Sequence, residues 1–110
     1  MYQIKSRIWI EGKEGVFLGE GRIKILKAIA SEGSVSKAAK SLGMSYKKAW
    51  NLVDSINKNA STPVIKTNTG GSGGGGTEIT EYGLKMILAF ENINKNCWDF
   101  LDEQLKSLQL

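Results

Sequence analysis

Apolar residues recur with two different periods along this chain, and the first period predicts strands. Ile4, Ile8 and Ile10 share one face of an alternating segment, which is the pattern of a β-strand. A turn with two glycines follows, and the apolar run that begins at Val16 can return as a second strand. Residues 1–20 are therefore predicted to form a β-hairpin that needs another element to pack against.

A helical period follows the hairpin. Apolar positions three and four residues apart predict a first helix, and this helix should end near Glu32 because Gly33 is a good C-terminal stop. The residues expected on its buried side are Ile23, Leu26, Ile29 and Ala30.

Two further helices joined by a short turn are predicted within residues 21–60. The first can be capped by Ser34 or Ser36 and ends at Gly43, and the second follows the cap Ser45 and runs to about Lys58. Their expected buried residues are Val35, Ala38, Ala39 and Leu42 in the first helix and Ala49, Leu52, Val53 and Ile56 in the second. This arrangement is typical of a helix-turn-helix. An ordinary helical hairpin whose lysines only keep it soluble is the alternative.

The glycine-rich stretch TGGSGGGGTE lies between two short strand patterns. Val64 and Ile65 precede it, and Thr77 begins the return, so the glycines form the tip of a hairpin. Bare backbone there can adopt positive φ and approach a phosphate surface closely. A nucleotide-binding P-loop is excluded, because that motif requires a lysine after the last glycine and then a helix. A hairpin directly after a helix-turn-helix makes a winged helix, and residues 61–80 are the predicted wing.

A long last helix is predicted for residues 81–110. Thr80 can cap it, and it would extend about 40 Å. Leu84, Ile87 and Leu88 are expected to cover the core, whereas Cys97, Leu101, Leu105 and Leu108 form a later apolar stripe with little left in this chain to cover it. That stripe predicts a two-fold partner, with Ile8 and Ile10 of the hairpin joining the interface. A monomer whose last helix folds back over its own core is the alternative.

The charge is distributed unevenly. The chain has a formal net charge of +4, yet residues 21–60 carry eight basic and two acidic side chains, whereas residues 81–110 carry three basic and five acidic ones. A basic middle with neutral or acidic ends predicts a surface that binds a polyanion. A solvated lysine-rich surface is the alternative.

The composition excludes several function classes. The chain has no histidine and a single cysteine, Cys97, so histidine-based catalysis, a common zinc site and an internal disulfide are excluded. No apolar run approaches the roughly 20 residues of a membrane span, and the N-terminus is not a signal peptide. We therefore expect a soluble cytoplasmic protein that is not an enzyme and does not enter a membrane.

The candidate DNA contacts follow from the helix-turn-helix geometry. The N-terminal end and polar face of the second helix enter the major groove, where Asn51 can bond an adenine edge in two places and lysines can reach guanine or phosphate. The candidates are Ser34, Ser36 and Lys37; Ser45, Tyr46, Lys47, Lys48 and Asn51; and, in the wing, Lys66, Thr67, Gly71, Ser72 and Gly73.

The segments GSVSKAAKSLGMSYKKAWNLVDSINK and TGGSGGGGTEITEYG resemble the N-terminal winged-helix domain of the molybdate-responsive, ModE-type family of transcriptional regulators, over about residues 3–95. The resemblance implies a dimeric DNA-binding regulator, with residues 45–48 on the recognition helix and residues 70–76 in the wing. Fuller members carry C-terminal domains that sense molybdate or tungstate. Because this chain stops at Leu110, we expect no cofactor and no direct molybdate binding.

The predicted fold is mostly α with a small β component: a winged helix-turn-helix with an N-terminal β-hairpin and a long C-terminal helix. The predicted function is that of a homodimeric, sequence-specific transcriptional regulator that binds double-stranded DNA and lacks the molybdate-sensing domains of longer relatives. The alternatives are a winged-helix module for protein–protein interaction, and a regulator gated by a small oxyanion at the dimer interface.

Overall fold

The computed structural model describes residues 1–68 and 76–110, which contain four helices and two small antiparallel hairpins. The elements in chain order are β1 (Trp9–Gly12), β2 (Gly15–Gly19), α1 (Glu20–Glu32), α2 (Val35–Ser41), α3 (Tyr46–Lys58), β3 (Ile65–Thr67), β4 (Thr77–Ile79) and α4 (Glu81–Ser107). This order confirms the predicted fold: a helix-turn-helix, a wing and a long last helix. Within these residues, no helix is both long and apolar enough to cross a membrane.

The core lies between α1, α2 and α3. Its central side chains in α1 are Ile25, Leu26 and Ile29, which are fully buried. In α2 and α3 the buried residues are Val35, Ala38, Ala39, Ala49, Val53 and Ile56, as the helical spacing predicts, while Leu52 is half-buried against them. The small side chains of Ala38 and Ala39 let α2 pack closely between its neighbours.

Two residues predicted to be buried in the first two helices are exposed. Ala30 lies in an open groove between α1 and α4 and is exposed. On the other side of α1, Ile25 is buried, although it is not among the residues predicted to be. Leu42 is 36% exposed because α2 ends at Ser41, and Leu42 is the C-cap residue outside the helical stripe. The helix-turn-helix pattern itself is unaffected by these two corrections.

The N-terminal strand is shorter than predicted. It begins only at Trp9, pairs with β2 from Trp9↔Gly19 to Gly12↔Gly15, and has an irregular register after Ile10. The preceding residues instead run along the C-terminal half of α4, where the Ser6 hydroxyl lies 3.7 Å from the Cys97 sulfur. Residues 4–8 therefore lie beside α4. Within the described part of the chain, they do not pair with a strand.

The N-terminal hairpin is fastened to the end of α3 by one side chain. Asn59 donates from Nδ2 to the carbonyl oxygens of Val16 (3.4 Å) and Ser55 (2.9 Å), and its Oδ1 accepts from the backbone N–H of Glu14 at 2.7 Å. Gly12 lies directly against this side chain, since an added Cβ would stand 2.7 Å from the Asn59 Cβ. The hairpin thus acquires the packing partner that an isolated hairpin lacks.

The last helix turns a different face to the core from the one predicted. Thr80 caps it, accepting from the N–H of Gly83 at 2.9 Å. Ile87 is buried as predicted, but the buried aromatic residue beside it is Phe90. The predicted core residues Leu84 and Leu88 are 48% and 68% exposed. The reason is steric, because α4 can approach the base of the wing only on the side where it carries Gly83.

This close approach gives a first prediction. A Cβ at Gly83 would stand 2.5 Å from the carbonyl oxygen of Val64 and 2.7 Å from Cγ2 of Ile79. Gly83→Ala should lower the free energy of unfolding by about 1–3 kcal/mol, because the backbone of the wing base must shift. Urea unfolding followed by circular dichroism measures this change.

The matched control is Gly21→Ala in α1, where an added Cβ meets nothing within 4 Å. This variant should be neutral or more stable by up to about 1 kcal/mol, since alanine is the better helix former. Equal unfolding free energies for the two variants would contradict the steric role of Gly83.

Candidate nucleic-acid interface

The exposed face of α3 carries the polar residues that the helical spacing assigns to it. Lys47, Asn51, Asp54 and Lys58 are all exposed, on the side opposite Ala49, Val53 and Ile56. Near the end of α3 this polar row approaches Glu14 in the turn of the N-terminal hairpin. The N-terminal half of the row, with Lys47 and Asn51, is the part that a major groove could receive.

The start of α3 is held by a serine cap and an aromatic pair. The Ser45 hydroxyl accepts from the N–H of Lys48 at 3.1 Å, which leaves its own proton free to donate to a phosphate oxygen. Tyr46 is 57% exposed, and its ring packs edge-on against Trp50 with 6.2 Å between ring centroids. Trp50 is half-buried against the core, so Tyr46 is positioned by a fixed neighbour.

The start of α2 uses Ser34 as its cap, and not Ser36. The Ser34 hydroxyl accepts from the N–H of Lys37 at 3.1 Å. Ser36 and Lys37 are exposed. The turn to α3 is closed by Gly43, whose φ of +66° suits glycine, and by the N–H of Met44, which donates to the carbonyl of Ala39 at 3.0 Å.

The wing is a short two-stranded hairpin. Ile65, Lys66 and Thr67 pair with Ile79, Glu78 and Thr77, and the N–H of Asn68 donates to the carbonyl of Gly76 at 2.8 Å. Val64, predicted to be in the strand, is a buried residue just before it. Lys66 and Thr67 are exposed. The candidate contacts Gly71, Ser72 and Gly73 lie outside the described residues.

One side chain fixes the wing to α3. Oδ1 of Asn57 accepts from the N–H groups of Val64 (2.9 Å) and Ile65 (3.2 Å), and its Nδ2 donates to the carbonyl of Ile65 at 3.1 Å. The wing base is also tied to α1, because the N–H of Thr77 donates to the carbonyl of Gly33 at 3.0 Å. The start of β4 thus lies beside Gly33, the residue that precedes the Ser34 cap of α2.

Sequence reasoning missed Asn57, although a signal for it exists. Asn57 lies four residues after buried Val53, so it interrupts the apolar stripe of α3 on the side that faces the protein. A polar residue at such a position needs hydrogen-bond partners within the fold. The side-chain amide of Asn57 finds these partners in the backbone groups of Val64 and Ile65 at the wing.

The basic charge around these elements has no acidic partner within the described part of the chain. Residues 34–80 contain six lysines and two acidic residues, Asp54 in α3 and Glu78 in the wing. The ion pairs found in residues 1–68 and 76–110 involve other lysines: Lys27 with Glu91, Lys85 with Glu81, Lys95 with Asp99 and Lys106 with Glu103. The surface of α2, α3 and the wing thus keeps a net positive charge that can attract a polyanion.

The candidate dimer residues fall into two groups. Ile8, Cys97, Leu101 and Leu105 are half-buried, whereas Ile10 and Leu108 are exposed. The N-terminal segment covers the start of the stripe, because the Ser6 hydroxyl lies 3.7 Å from the Cys97 sulfur, so the expectation that little in this chain covers it needs correction. Sequence reasoning missed Ile93 and Phe100, apolar residues of α4 that are 49% and 63% exposed.

Across the two described ranges, no group of three or more cysteine, aspartate or glutamate side chains is placed to hold a metal ion.

An exposed polar recognition helix, a second helix packed across it and a wing fixed at their side define a winged-helix protein of the DNA-binding class. Comparison of the sequence with known families assigns the protein to one family within this class. Residues 21–84 match the family described as "Bacterial regulatory helix-turn-helix protein, lysR family". The chain belongs to this family.

Curated relatives support a more specific resemblance. The chain is 34% identical over 106 residues to the molybdenum transport protein ModE of Azotobacter vinelandii, covering 94% of this chain and 39% of that protein. It is 35% identical over 104 residues to the DNA-binding transcriptional dual regulator ModE of Escherichia coli K12, covering 92% and 40%. These matches confirm the resemblance to the N-terminal part of ModE-type regulators, and the chain spans about 40% of the length of these relatives.

A solved structure supports the fold. The chain superposes on the CbnR_DBD-DNA complex with a TM-score of 0.58 and 17% sequence identity, over 81% of this chain and 97% of that one. At this identity the likeness bears on the fold alone. The family match and the curated relatives support a DNA-binding transcriptional regulator. Which residues contact DNA stays a prediction.

The hydrogen bonds between Asn57 and the wing, called here the Asn57 clamp, give a second prediction. Asn57→Ala should lower the free energy of unfolding by about 1–3 kcal/mol, because the N–H groups of Val64 and Ile65 lose their acceptor. Chemical unfolding measures this loss. The matched control is Asn51→Ala on the exposed face of the same helix, which should change stability by no more than about 0.5 kcal/mol. A loss in the control as large as in Asn57→Ala would show that the clamp is not the cause.

Proposed function

We propose that this protein binds specific double-stranded DNA sites as a homodimer and thereby regulates transcription. The observation that carries the proposal is the basic surface on α2, α3 and the wing, whose lysines have no acidic partner among the described residues, in a chain of the lysR family. Such a regulator works in the compartment that holds the DNA, which for a bacterial protein is the cytoplasm. The names of its relatives connect them with transcription and molybdenum transport, so promoters of molybdenum-transport genes are the first DNA fragments to test.

The proposed contacts divide by chemistry. Lys37, Lys48 and Lys66 would neutralise phosphates, which gives affinity without sequence preference. Asn51 and Tyr46 would face the bases, because both are exposed on the half of α3 that can enter the major groove. The wing is proposed to contact the backbone or the minor groove beside the recognition helix.

The third prediction separates the two kinds of contact. Asn51→Ala should weaken binding to a matched site by about 1–3 kcal/mol and leave binding to a scrambled site nearly unchanged, because only the matched site offers the correct base edge. Lys37→Ala should weaken both sites alike and reduce the slope of log affinity against log salt by about one. Fluorescence anisotropy with both duplexes, at several salt concentrations, measures these effects.

Lys85→Ala in α4 is the charge-matched control, because that lysine lies outside the basic surface. It should bind both duplexes like the parent protein. The roles are wrong if Asn51→Ala weakens both duplexes alike while Lys37→Ala affects only the matched one. Equal binding of the parent protein to both duplexes that is abolished by salt would instead favour a module for protein–protein interaction.

The proposed dimer uses the C-terminal half of α4. Leu101 and Leu105 remain half-exposed on the stripe, and Phe100 adds an exposed aromatic ring beside them. An apolar surface of this kind is stabilised by a second copy, which is the commonest form of self-association. Two winged helices related by a two-fold axis would read an inverted repeat.

The fourth prediction tests this interface. The double variant Leu101→Glu/Leu105→Glu should sediment as a monomer of 12.0 kDa, because two carboxylates would have to be buried in the interface. It should also lose affinity for an inverted repeat more than for a single half-site. Leu88→Glu, on an exposed apolar residue of another face of α4, should remain dimeric. A parent protein that sediments as a monomer at micromolar concentration would contradict the proposed dimer.

A further inference from the structure

A cleft with a cavity volume of about 350 Å³ lies between the N-terminal segment and the start of α1. One wall is formed by residues before and within β1, including Arg7, Ile8 and Trp9. The other is the start of α1, with Arg22 and Lys24. The basic surface of α2, α3 and the wing does not include this cleft, and the DNA-binding proposal leaves it unused.

The cleft has more positive than negative charge. Its charged lining residues are three cations, Arg7, Arg22 and Lys24, and one anion, Glu20. None of these three cations forms an ion pair within 4.0 Å in residues 1–68 and 76–110. Cations that converge on one cavity repel one another, so an anion between them would be stabilising.

Arg22 is the anchored member of this group. Its Nη2 donates to the Ser55 hydroxyl of α3 at 2.9 Å, which fixes the guanidinium. Its Nε–H is buried and has no hydrogen-bond partner in the described part of the chain. Burial lowers the pKa of Arg22 below its usual range, because the charge is partly removed from water without a counter-charge. A buried guanidinium donor without an acceptor is costly, and an oxyanion would supply the acceptor.

The backbone of α1 adds a weaker contribution of the same sign. Gly19 is the N-cap residue and supplies no side-chain hydrogen bond to the first turn. The first N–H groups of the helix therefore keep their partial positive charge at the mouth of the cleft. The three cationic side chains remain the principal attraction.

The position of the cleft separates it from the proposed DNA surface. Arg22 is eleven residues from Gly33, where the wing base is attached, and this distance is about 16 Å along α1. Its partner Ser55 lies in the last turns of α3, whereas the candidate base contacts lie in the first turns. The cleft therefore lies apart from the candidate base contacts of α3.

We propose that the cleft binds a small tetrahedral oxyanion of the phosphate or sulfate type, free or as the terminal group of a small molecule. Arg7 and Lys24 supply charge from opposite walls, and Arg22 supplies a fixed guanidinium with a donor to spare. The volume exceeds that of a single oxyanion, and Ile8 and Trp9 offer an apolar wall against which an organic body could rest. Such an anion would join the N-terminal segment to α1.

The test is a titration of the free protein with inorganic phosphate, inorganic sulfate and phenyl phosphate, followed by nuclear magnetic resonance. The reporters are the Nε–H of Arg22 and the indole N–H of Trp9. The expected result is a saturable shift of both signals with at least one of these probes. Tighter binding of phenyl phosphate than of inorganic phosphate would identify a phosphorylated small molecule as the ligand class, and equal binding would identify the free oxyanion.

Charge-matched variants locate the site. Arg7→Gln and Lys24→Gln should each weaken binding about tenfold, because each removes a charge-assisted contact. The controls are Lys5→Gln in the same N-terminal segment and Lys27→Gln in α1, exposed lysines that do not line the cleft, and they should change affinity less than about twofold. Arg22 is left intact because it also connects α1 to α3.

Two results would overturn the proposal: no shift of the Arg22 Nε–H with any probe, or equal weakening by all four variants, which indicates general attraction to a basic surface. The titration contains no DNA, so its failure leaves the proposed regulator untouched. Conversely, if the protein binds the anion but no DNA, this site is supported and the proposed function is contradicted.

Discussion

The arrangement of the domain depends on the amide side chains of Asn57 and Asn59 at the end of α3. Asn57 holds the wing through three hydrogen bonds to Val64 and Ile65, and Asn59 holds the N-terminal hairpin by bonds to Val16 and Glu14. Neither hairpin is large enough to be stable alone. Because both are attached to the recognition helix, the position of each is defined relative to the surface proposed to meet DNA.

A steric constraint completes this arrangement. Gly83 lets α4 contact the backbone of Val64, next to the residues that Asn57 holds. The wing base is thus enclosed between α3 and α4, and Thr80 strengthens the junction by donating to the carbonyl of Pro63 at 2.7 Å. The rotation of α4 follows from this contact, which buries Ile87 and Phe90 and leaves Leu84 and Leu88 exposed.

The charges are separated along the same framework. The lysines on α2, α3 and the wing have no acidic partners within residues 1–68 and 76–110, whereas the lysines of α4 pair with acidic residues of that helix. Exposed pairs of this kind contribute little stability, and α4 keeps an acidic excess, with three lysines against five acidic residues. A polyanion would therefore be attracted to the side of the protein that carries α2, α3 and the wing.

The local pattern by itself determined the helices, the caps Ser45 of α3 and Thr80 of α4, the glycine at the turn and the polar face of α3, because these depend on residues within a few positions of one another. The family resemblance was also readable from its two motifs. Tertiary structure alone decided which face of α4 is buried, because Gly83 must meet Val64. It also decided that residues 4–8 lie along α4 instead of extending a strand, and that Arg22 reaches Ser55 beside a cationic cleft. Contacts between distant segments produce these features, and no periodicity within one segment records which distant residue will be its neighbour.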